Sequence, residues 1–568
     1  MAIIDLGNIR MNWRGVYDPK VKYVRDDAVS YKGSSFIALK EGMGVTPTAG
    51  TNLVGSHSVG HWDLLAAGTD QLSQEGDLLI HDGNTPVRLP RGKNAQILQM
   101  KGPRPLWEDQ SLDPSRRVWK LAKVNGMGGW HTRVYLMADG TIKACGYGGN
   151  YSNGHPTGAH LYVSSRIIVA DPDQRFVDVF SGGMQHYALT AEGDVWSWGH
   201  NNFGQLGHGD TANRAIAKRI EFFATRQIKI ARVIPARPNY YDHACAYFLT
   251  TEGQVYACGI NGDGNLGNGT SVNQSTPVRC GALTNIVDVR VSGQPRSVYA
   301  IQDDGSLWVW GWNGSGQLGL GDTTKRETPI KHPSLGSVAK AVISCGYATD
   351  GNNPAGHGVV LQADGTLLVS GFNGDGQLGL GDTTQRNSFT PLKLDGEFVD
   401  VFGGDGRYAS MGALTKQGEI TLWGYNGYGQ LGTGNTERQL TPFKPKAPFQ
   451  GHVSRATFGG GASYEGCILQ AGDAPLAGNA LWAAGYGEQG NLGIGNLNKT
   501  NTTFQRVLGQ SGIIEDWGVF GQGTAHWGLG VLYTDGRVDA CGENNSFGET
   551  GTQVAQLQDV AALTNVLL

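Results

Sequence analysis

The sequence has little charge for its length. Charged residues make up 17% of the 568 residues, and the formal net charge is −4; an average globular protein carries about a quarter charged residues. Nucleic acids and anionic membranes attract clustered lysine and arginine, so this balance excludes a broad electrostatic surface for either. We therefore expect no nucleic-acid partner.

Long hydrophobic runs are also missing. No apolar run approaches the roughly 18 residues that a membrane helix needs, so membrane insertion is not expected. The first residues, Met1 to Gly7, contain no basic segment followed by an apolar run. No secretory signal peptide is therefore recognisable there.

Motifs for metal binding and catalysis are absent as well. The seven cysteines form no Cys-x-x-Cys pair, and Cys145, Cys258 and Cys541 occupy equivalent strand positions, where we expect small buried hydrophobic residues. The sequence has no His-Glu-x-x-His, Gly-x-Ser-x-Gly or Walker loop. Acidic pairs such as Asp303 and Asp304 fall in predicted hairpin turns. The sequence thus predicts no metal, no cofactor and no catalytic residue, and the chain is not expected to be an enzyme.

Glycine, in contrast, is about twice as frequent as usual, with 88 residues, because one glycine-rich segment recurs along the chain. Its copies are Ile142–Gly154, Trp196–Asp210, Tyr256–Thr270, Trp308–Asp322, Leu368–Asp382, Leu422–Gly434, Leu481–Asn496 and Val538–Gly551. The glycine that closes each hydrophobic run lies at 146, 199, 259, 311, 371, 424, 485 and 542, at intervals of 53, 60, 52, 60, 53, 61 and 57 residues. Such a period indicates a repeat architecture.

Some of these segments also satisfy Gly-x-Gly-x-x-Gly, for example Gly262 to Gly267. A dinucleotide site needs a helix directly after this motif, because the helix N-terminus binds the phosphate. A strand is predicted there instead. We therefore assign these glycines to turns.

Each repeat contains four predicted strands. The first is β-branched, as at Ile286–Arg290, the second resembles Tyr187–Thr190, the third ends at the closing glycine, and the fourth contains proline, as at Thr276–Arg279. Four short strands per unit, repeated around a ring, make a β-propeller. Eight complete units predict an all-β propeller of eight blades, or of seven if an end unit lies outside the ring. Helix should account for under about a tenth of the residues, well below the usual third.

The repeats resemble those of the regulator-of-chromosome-condensation family, whose signature is an aliphatic strand, Trp-Gly-x-Asn-x-x-Gly-Gln-Leu-Gly and then Gly-Asp. The resemblance covers roughly residues 117–568 and is weaker in the first and last units. It implies a β-propeller, which in this family usually has seven blades. The founding member is an exchange factor for a small GTPase, but the inserted element on which that activity depends is not matched here.

Residues 1–70 lack the repeat and are rich in aromatic residues. Their order resembles that of small carbohydrate-binding modules attached to chitinases, with Trp13 and Tyr17 in a Trp-x-Gly-x-Tyr motif and Trp62 further on. The resemblance implies a small β module in which Trp13, Tyr17 and Trp62 stack on sugar rings. Alternatively, these three residues are the core of a very small domain. The same fold serves in phage tail proteins as a spacer or docking piece.

Residues 71–116 are predicted to be a β connector. The segments Gly76–Leu79, Arg88–Gly92, Gln96–Gln99 and Pro105–Trp107 resemble a segment of phage tail fibres. Residues 93–95 replace the usual glycine before the glutamine. This resemblance points to a virion.

The turn between the first and second strands is the candidate binding site, because it falls on the same face of every blade and loops carry most binding residues. Aromatic, arginine and aspartate side chains there suit sugars or protein hot spots. The candidates are Trp130, Arg237, Tyr240, Tyr241, Asp242, Arg296, Tyr347, Asp350, Arg407, Tyr408, Tyr464 and Trp527. The alternative is that one histidine or aromatic residue per turn is a packing position, as His131, His186 and His243 suggest.

A basic stretch lies between the second and third units. It is interpreted either as a solvated loop or as a contact for an anionic glycan. Its residues are Arg214, Lys218, Arg219, Arg226, Lys229 and Arg232.

The sequence therefore predicts a bacteriophage tail-fibre or tail-tip receptor-binding protein, located in the virion and made in the host cytoplasm. Its N-terminal part would attach to other tail proteins, and its propeller would bind a host-surface glycan or an outer-membrane receptor; a homo-oligomer is an open alternative. The main alternative function is a regulatory or interaction protein, either a GTPase exchange factor or a partner-binding scaffold. A polysaccharide depolymerase is a third, and it would need a paired carboxylate site that the sequence does not show.

Overall fold

A computed structural model describes side chains over residues 132–542, and outside this range it describes only the backbone of strands. Within the range, the side chains not described are those of residues 237–243, 293–295, 345–354, 405–407, 446–451, 460–463, 473–479, 511–512 and 520–526. The chain divides into two compact units, Met1–Pro114 and Ser115–Leu568.

The first unit contains short strands. They are β1 (Ile3–Asp5), β2 (Arg10–Val16), β3 (Lys22–Tyr23), β4 (Asp27–Tyr31), β5 (Ser34–Ala38), β6 (Gly42–Met43), β7 (Trp62–Ala66), β8 (Leu78–His81), β9 (Pro86–Leu89), β10 (Gln96–Lys101) and β11 (Arg104–Asp109). Strands β1, β2, β4, β5 and β7 form one sheet in that order, and β3–β6, β8–β9 and β10–β11 form two-stranded pairs. The predicted sugar-stacking residues Trp13, Tyr17 and Trp62 lie outside the described side chains.

The second unit consists of eight antiparallel sheets, each made from four strands that are consecutive in the sequence. Blades one to four are β12 (Val118–Leu121), β13 (Thr132–Met137), β14 (Ile142–Gly146), β15 (Leu161–Arg166); β16 (Asp178–Gly182), β17 (Gln185–Leu189), β18 (Val195–Gly199), β19 (Arg214–Arg219); β20 (Ile230–Pro235), β21 (Cys245–Thr250), β22 (Val255–Gly259), β23 (Gln274–Arg279); and β24 (Ile286–Val291), β25 (Ser297–Gln302), β26 (Leu307–Gly311), β27 (Arg326–Lys331).

Blades five to eight follow the same order. They are β28 (Val338–Tyr347), β29 (Pro354–Gln362), β30 (Leu367–Gly371), β31 (Arg386–Leu392); β32 (Phe398–Gly403), β33 (Ser410–Thr415), β34 (Ile420–Gly424), β35 (Gln439–Phe443); β36 (His452–Gly459), β37 (Gly466–Gly472), β38 (Ala480–Tyr486), β39 (Thr500–Arg506); and β40 (Ile514–Phe520), β41 (Gly528–Tyr533), β42 (Val538–Gly542), β43 (Val560–Asn565). The described part of the chain contains one short α-helix, α1 (Glu221–Thr225), and one 3-10 turn (Gly149–Tyr151).

The first strands of neighbouring blades contact one another from blade one to blade seven, and β12 of blade one contacts β40 and β41 of blade eight. Blades seven and eight share a buried cluster that includes Ile468 and Trp517. A buried cluster at this junction joins Tyr135 and Cys145 of blade one to Leu532 and Ala540 of blade eight. The ring is therefore closed. The propeller has eight blades rather than seven, as the eight sequence units predict.

Each blade packs between two neighbours, and for this reason the inner strands are buried on both faces. All five residues of β18 are buried, for example. A representative interface cluster joins Ile234 and Tyr247 of blade three to Val289 and Trp310 of blade four. Apolar burial of this kind, repeated at each interface, supplies most of the stabilisation of the fold.

The closing glycine has a steric role at the end of each third strand. Gly311 has a φ of +92°, which side chains other than glycine rarely adopt. A Cβ at this position would also overlap the carbonyl oxygen of Arg296. The glycine thus allows the third strand to approach the first–second turn of its own blade.

The residue before the closing glycine is buried. Cys145, Cys258 and Cys541 are each 0% exposed, and all three are free thiols. This confirms their assignment as small packing residues.

Candidate functional site

The candidate site is the end of the propeller where the first–second turn and the third–fourth loop of each blade meet. In an antiparallel four-stranded blade these two connections lie at one end, and the second–third hairpin lies at the other. In blade four, Nε2 of Gln317 in the third–fourth loop donates a hydrogen bond of 2.8 Å to Oγ of Ser297, which follows the first–second turn. We call this end the loop face, and the opposite end the hairpin face.

Buried asparagines hold the third–fourth loops in place. Asn313 is 0% exposed. Its Oδ1 accepts a hydrogen bond of 2.9 Å from the backbone N–H of Leu318, and its Nδ2 donates one of 2.9 Å to the carbonyl of Asp322. The Oδ1 contact recurs at Asn201, Asn261, Asn373 and Asn426. Because buried backbone groups need such partners, the loops have a defined conformation and present their side chains rigidly.

Three of these loops end in an aspartate–arginine pair. Asp210 accepts from Arg214 at 2.7 Å, and this hydrogen bond lowers the pKa of the Asp210 carboxyl to about 2. The equivalent pairs are Asp322 with Arg326 and Asp382 with Arg386, each at 2.6 Å. These carboxylates are ionised and paired, and we assign them to loop structure.

Acidic neighbours pair with several residues of the basic stretch. Lys229 lies 2.8 Å from Asp194, which also faces Arg219 at 3.8 Å. Arg232 pairs with Asp288 at 2.9 Å. This pairing favours the solvated interpretation over a contact for an anionic glycan, since the positive charges of Arg219, Lys229 and Arg232 are already compensated.

Aromatic residues follow the closing glycine in five blades. They are Tyr147, Trp312, Phe372, Tyr425 and Tyr486. In four cases the ring covers the glycine two positions later, where an added Cβ would overlap it: Gly149, Gly314, Gly374 and Gly427. The glycines therefore leave space on the loop face for large rings to lie flat.

Five tyrosines of blades six and seven form a cluster on the loop face, which we call the tyrosine patch. Its members are Tyr408, Tyr425, Tyr428, Tyr464 and Tyr486. The ring centroids of Tyr428, Tyr464 and Tyr486 lie 4.7 to 5.3 Å apart, and those of Tyr408 and Tyr425 lie 4.8 Å apart. Tyr486 is 2% exposed, and the other four are half-buried. The patch thus has a buried floor and an accessible upper surface.

Charged groups surround the patch. Glu465 is buried and accepts hydrogen bonds of 3.0 and 2.8 Å from the backbone N–H and Oγ of Ser410. The Tyr486 hydroxyl donates to Oε2 of Glu488 at 2.8 Å. The Lys499 ammonium lies 5.9 Å from the centre of the Tyr464 ring. The buried contact between Glu465 and Ser410 links blades seven and six, whereas the other two contacts lie within blade seven.

Three phenols of the patch, those of Tyr425, Tyr428 and Tyr486, stay protonated at neutral pH. Burial, together with the neighbouring Tyr408 and Asp375, raises the pKa of Tyr425 to about 12. Burial also raises the pKa of Tyr428 and of Tyr486. Rigid tyrosines that combine apolar area with a hydroxyl group are well suited to contacts with another macromolecule.

Two of the predicted contact residues, Tyr408 and Tyr464, belong to this patch. A third, Arg296, is mostly buried at its side chain and pairs with Asp263 in the loop of the preceding blade at 3.5 Å. Arg296 therefore ties two blades together at the loop face.

Trp527 is a packing residue, and the prediction that it is an exposed contact is wrong. Its side chain is 1% exposed and lies in the buried cluster between blades seven and eight, with Leu492 and Leu529. A Cβ on Gly459 or Gly466 would overlap its ring. Because these glycines leave a gap between the blades, the indole fills it.

The other predicted contacts fall outside the described side chains. They are Trp130, Arg237, Tyr240, Tyr241, Asp242, Tyr347, Asp350 and Arg407.

His186 supports the alternative interpretation of the turns as packing positions. It is 0% exposed, and its ring nitrogens contact Ser181 Oγ at 2.7 Å and Ser152 Oγ at 3.1 Å. Burial lowers the pKa of His186 to about 3. It is therefore a neutral structural histidine that links blades one and two.

Sequence reasoning did not single out Tyr425, Tyr428 and Tyr486. The predicted contacts lie in the first–second turns, whereas Tyr425 and Tyr428 belong to the third–fourth loop of blade six and Tyr486 is the last residue of β38. The available signal was the aromatic residue after the closing glycine, which recurs in several repeats. Aligning the repeats by that glycine would have placed Tyr425 and Tyr486 at equivalent positions.

Two further properties concern the described residues alone. Within them, no three His, Cys, Asp or Glu side chains are grouped so as to hold a metal ion. Of the helices in the same part of the chain, none has the length and hydropathy of a membrane-spanning segment.

Comparison with known proteins identifies the repeats. The model of the regulator of chromosome condensation (RCC1) repeat matches residues 192–234, 252–294, 304–349 and 417–464, and a second model of this repeat matches residues 176–205. The chain is 28% identical over 405 residues to the ultraviolet-B receptor UVR8 of Arabidopsis thaliana, which covers 71% of this chain and 84% of that protein. It is 29% identical over 335 residues to the E3 ubiquitin-protein ligase HERC2 of Homo sapiens, covering 58% of this chain but 6% of that protein.

The solved structure of Prp20p from Saccharomyces cerevisiae has the same fold. The TM-score is 0.50 and the identity 19%, over 68% of this chain and 89% of that chain. This eight-bladed β-propeller therefore contains regulator-of-chromosome-condensation repeats, matched within residues 176–349 and 417–464.

Proposed function

We propose that this chain is a partner-binding protein of regulatory type, which contacts a protein partner through the tyrosine patch on its loop face. The observation that carries the proposal is the patch itself, in which the half-buried Tyr428 and Tyr464 pack on the buried Tyr486, and the half-buried Tyr408 and Tyr425 pack on each other. Tyrosine is enriched among the few residues that dominate binding energy at protein interfaces. Well-fixed rings also lose little conformational entropy when they bind.

The similar proteins support an interaction role better than the tail-fibre role. One is named a receptor and another a ubiquitin-protein ligase. The chain spans 6% of HERC2, so the ligase activity named there gives no reason to propose an enzyme here. The virion location, the attachment to tail proteins and the host receptor remain predictions from residues 1–116, whereas the matched repeats lie within residues 176–464.

A crosslinking experiment can identify the partner. A photoreactive phenylalanine analogue at Tyr428 places the reactive group on the patch. The same analogue at Lys416, an exposed residue in the second–third hairpin of the same blade, serves as the control on the hairpin face. A protein crosslinked from position 428 but not from position 416 is then purified for binding measurements.

Direct binding then tests the proposal. The double variant Tyr428→Ser/Tyr464→Ser should weaken the Kd of the purified partner at least about tenfold, and Lys416→Ala should leave it unchanged. Thermal unfolding checks that the double variant is folded. An unchanged Kd in a folded double variant would refute the proposal.

A further inference from the structure

The spacing of the closing glycines alternates along the chain. The first six intervals are 53, 60, 52, 60, 53 and 61 residues, and the seventh is 57. The closing glycines of the odd-numbered blades, at 146, 259, 371 and 485, are therefore 113, 112 and 114 residues apart. The interval over two blades is therefore more constant than the interval over one blade.

Charge alternates with the same period on the first strands. One position of the second strand is equivalent in all eight blades. It holds Leu136, Leu189, Leu249, Ile301, Leu361, Leu414, Gln470 or Leu532, and each of these residues pairs in register with one residue of the first strand. In blade order, the residues opposite are Lys120, Asp178, Arg232, Asp288, Lys340, Asp400, Arg455 and Asp516. Odd-numbered blades carry a base and even-numbered blades an acid.

Three ion pairs show how these charges are used. Arg232 of blade three lies 2.9 Å from Asp288 of blade four. The equivalent pairs are Lys340 with Asp400 at 2.8 Å, between blades five and six, and Arg455 with Asp516 at 2.9 Å, between blades seven and eight. In each pair the base of an odd-numbered blade contacts the acid of the next blade.

The residue before the closing glycine alternates in size. Odd-numbered blades have Cys145, Cys258, Ser370 and Ala484, and even-numbered blades have Trp198, Trp310, Trp423 and, as an exception, Cys541. Nε1 of Trp310 in blade four donates to the carbonyl of Asn265 in blade three at 2.7 Å, and Nε1 of Trp423 in blade six donates to the carbonyl of Gln377 in blade five at 2.8 Å.

The same position makes a smaller contact at the alternate interfaces. Sγ of Cys258 in blade three donates to the carbonyl of Gln205 in blade two at 3.1 Å. Oγ of Ser370 in blade five donates to the carbonyl of Gln317 in blade four at 3.0 Å. From blade two to blade six, two kinds of interface therefore alternate, one with a tryptophan and an ion pair, the other with a small side chain.

We propose that the propeller is assembled from four two-blade units, comprising blades one and two, three and four, five and six, and seven and eight, and that each unit opens and closes cooperatively. The interfaces between blades three and four and between blades five and six each bury a tryptophan and carry an ion pair, and both contacts are lost when these blades separate. The alternation of charge also restricts the number of blades. In a closed ring, bases and acids can alternate without like charges on neighbouring blades only when the number of blades is even.

Native-state hydrogen exchange of the full chain in low denaturant tests this proposal, because it measures the free energy of opening of each segment. Peptides from residues 230–331, which cover blades three and four, should exchange with one common dependence on denaturant. Peptides from residues 338–443, blades five and six, should share a different one. A single dependence for all eight blades, or a separate one for each blade, would overturn the proposal.

A pair of variants adds a directional test. Trp310→Phe removes the indole N–H within a unit, and Ser370→Ala removes the hydroxyl donor between units. Trp310→Phe should accelerate exchange about tenfold in blades three and four together, and less than about twofold in blades five and six. Ser370→Ala should change exchange less than about twofold throughout. Acceleration by Trp310→Phe in blades four and five, with blade three unchanged, would contradict the assignment of units.

Discussion

The indole N–H of Trp310 donates a hydrogen bond of 2.7 Å to the backbone carbonyl of Asn265, which lies in the third–fourth loop of the preceding blade. The same tryptophan is 0% exposed and belongs to the core between blades three and four. One side chain therefore contributes to the core and also fixes a loop of the loop face. Damage to the blade interface should for this reason also disturb the binding surface.

The first prediction separates these two roles of Trp310. Trp310→Ala should lower the free energy of unfolding by about 3–5 kcal/mol, because it removes a large buried ring and leaves a cavity. Trp310→Phe should cost less, about 0.5–1.5 kcal/mol, because the carbonyl of Asn265 loses one of its two donors and keeps the Tyr247 hydroxyl at 2.7 Å. Urea unfolding measures both. Val272→Ala, at a residue that is 65% exposed, should stay within about 0.5 kcal/mol of the parent protein.

The second prediction tests the reassignment of Trp527. Since this ring is buried between blades seven and eight, Trp527→Ala should lower the free energy of unfolding by about 3–5 kcal/mol. Tyr408→Ala, at a half-buried ring on the loop face, should have a smaller effect in the same urea titration. Unaltered stability of the Trp527→Ala variant would return this residue to the list of surface contacts.

The third prediction concerns acid. Since Arg214 lowers the folded-state pKa of Asp210 to about 2, and the unfolded value is about 3.9, the pair stabilises the fold above the unfolded pKa. This stabilisation is lost as the pH falls through about 2. Because the pair lies near the surface, its worth is at most about 1 kcal/mol. Asp210→Asn should remove this part of the pH dependence, as measured by denaturant unfolding between pH 5 and pH 2. An identical pH profile in the variant would show that the pair contributes no stability.

The fourth prediction concerns His186, whose folded-state pKa of about 3 lies below the unfolded value of about 6.5. Between these two values the unfolded chain binds a proton that the folded chain does not. Stability should therefore fall as the pH decreases from about 6.5 towards 3. His186→Gln should make this slope shallower between pH 7 and pH 5. The slope is the relevant measurement because glutamine also changes the packing, and an unchanged slope would contradict the buried neutral state of His186.

The repeat made most of the fold predictable. The closing glycines marked the end of each third strand to within one residue, and the eight units corresponded to eight blades. The ends of the strands were less certain: the strand predicted at Ile286–Arg290 extends to Val291. A sequence with a strong period leaves few alternatives for its architecture.

The binding surface was much less predictable, because exposure depends on contacts between blades that are distant in sequence. Trp527 and Tyr464 occupy equivalent turns, yet Trp527 fills a gap left by Gly459 and Gly466, whereas Tyr464 packs against Tyr428 and Tyr486 on the surface. A turn motif gives the residue type. It does not show whether the neighbouring blade leaves room for the ring.

Hydrogen exchange of the full chain with and without its identified partner tests the central claim most directly. If the tyrosine patch is the contact surface, the amides of residues 425–432 and 484–492 should exchange more slowly in the complex. The amides of residues 415–419, in the second–third hairpin of blade six on the hairpin face, should be unchanged. Protection confined to the hairpin face, with the patch unprotected, would contradict the account.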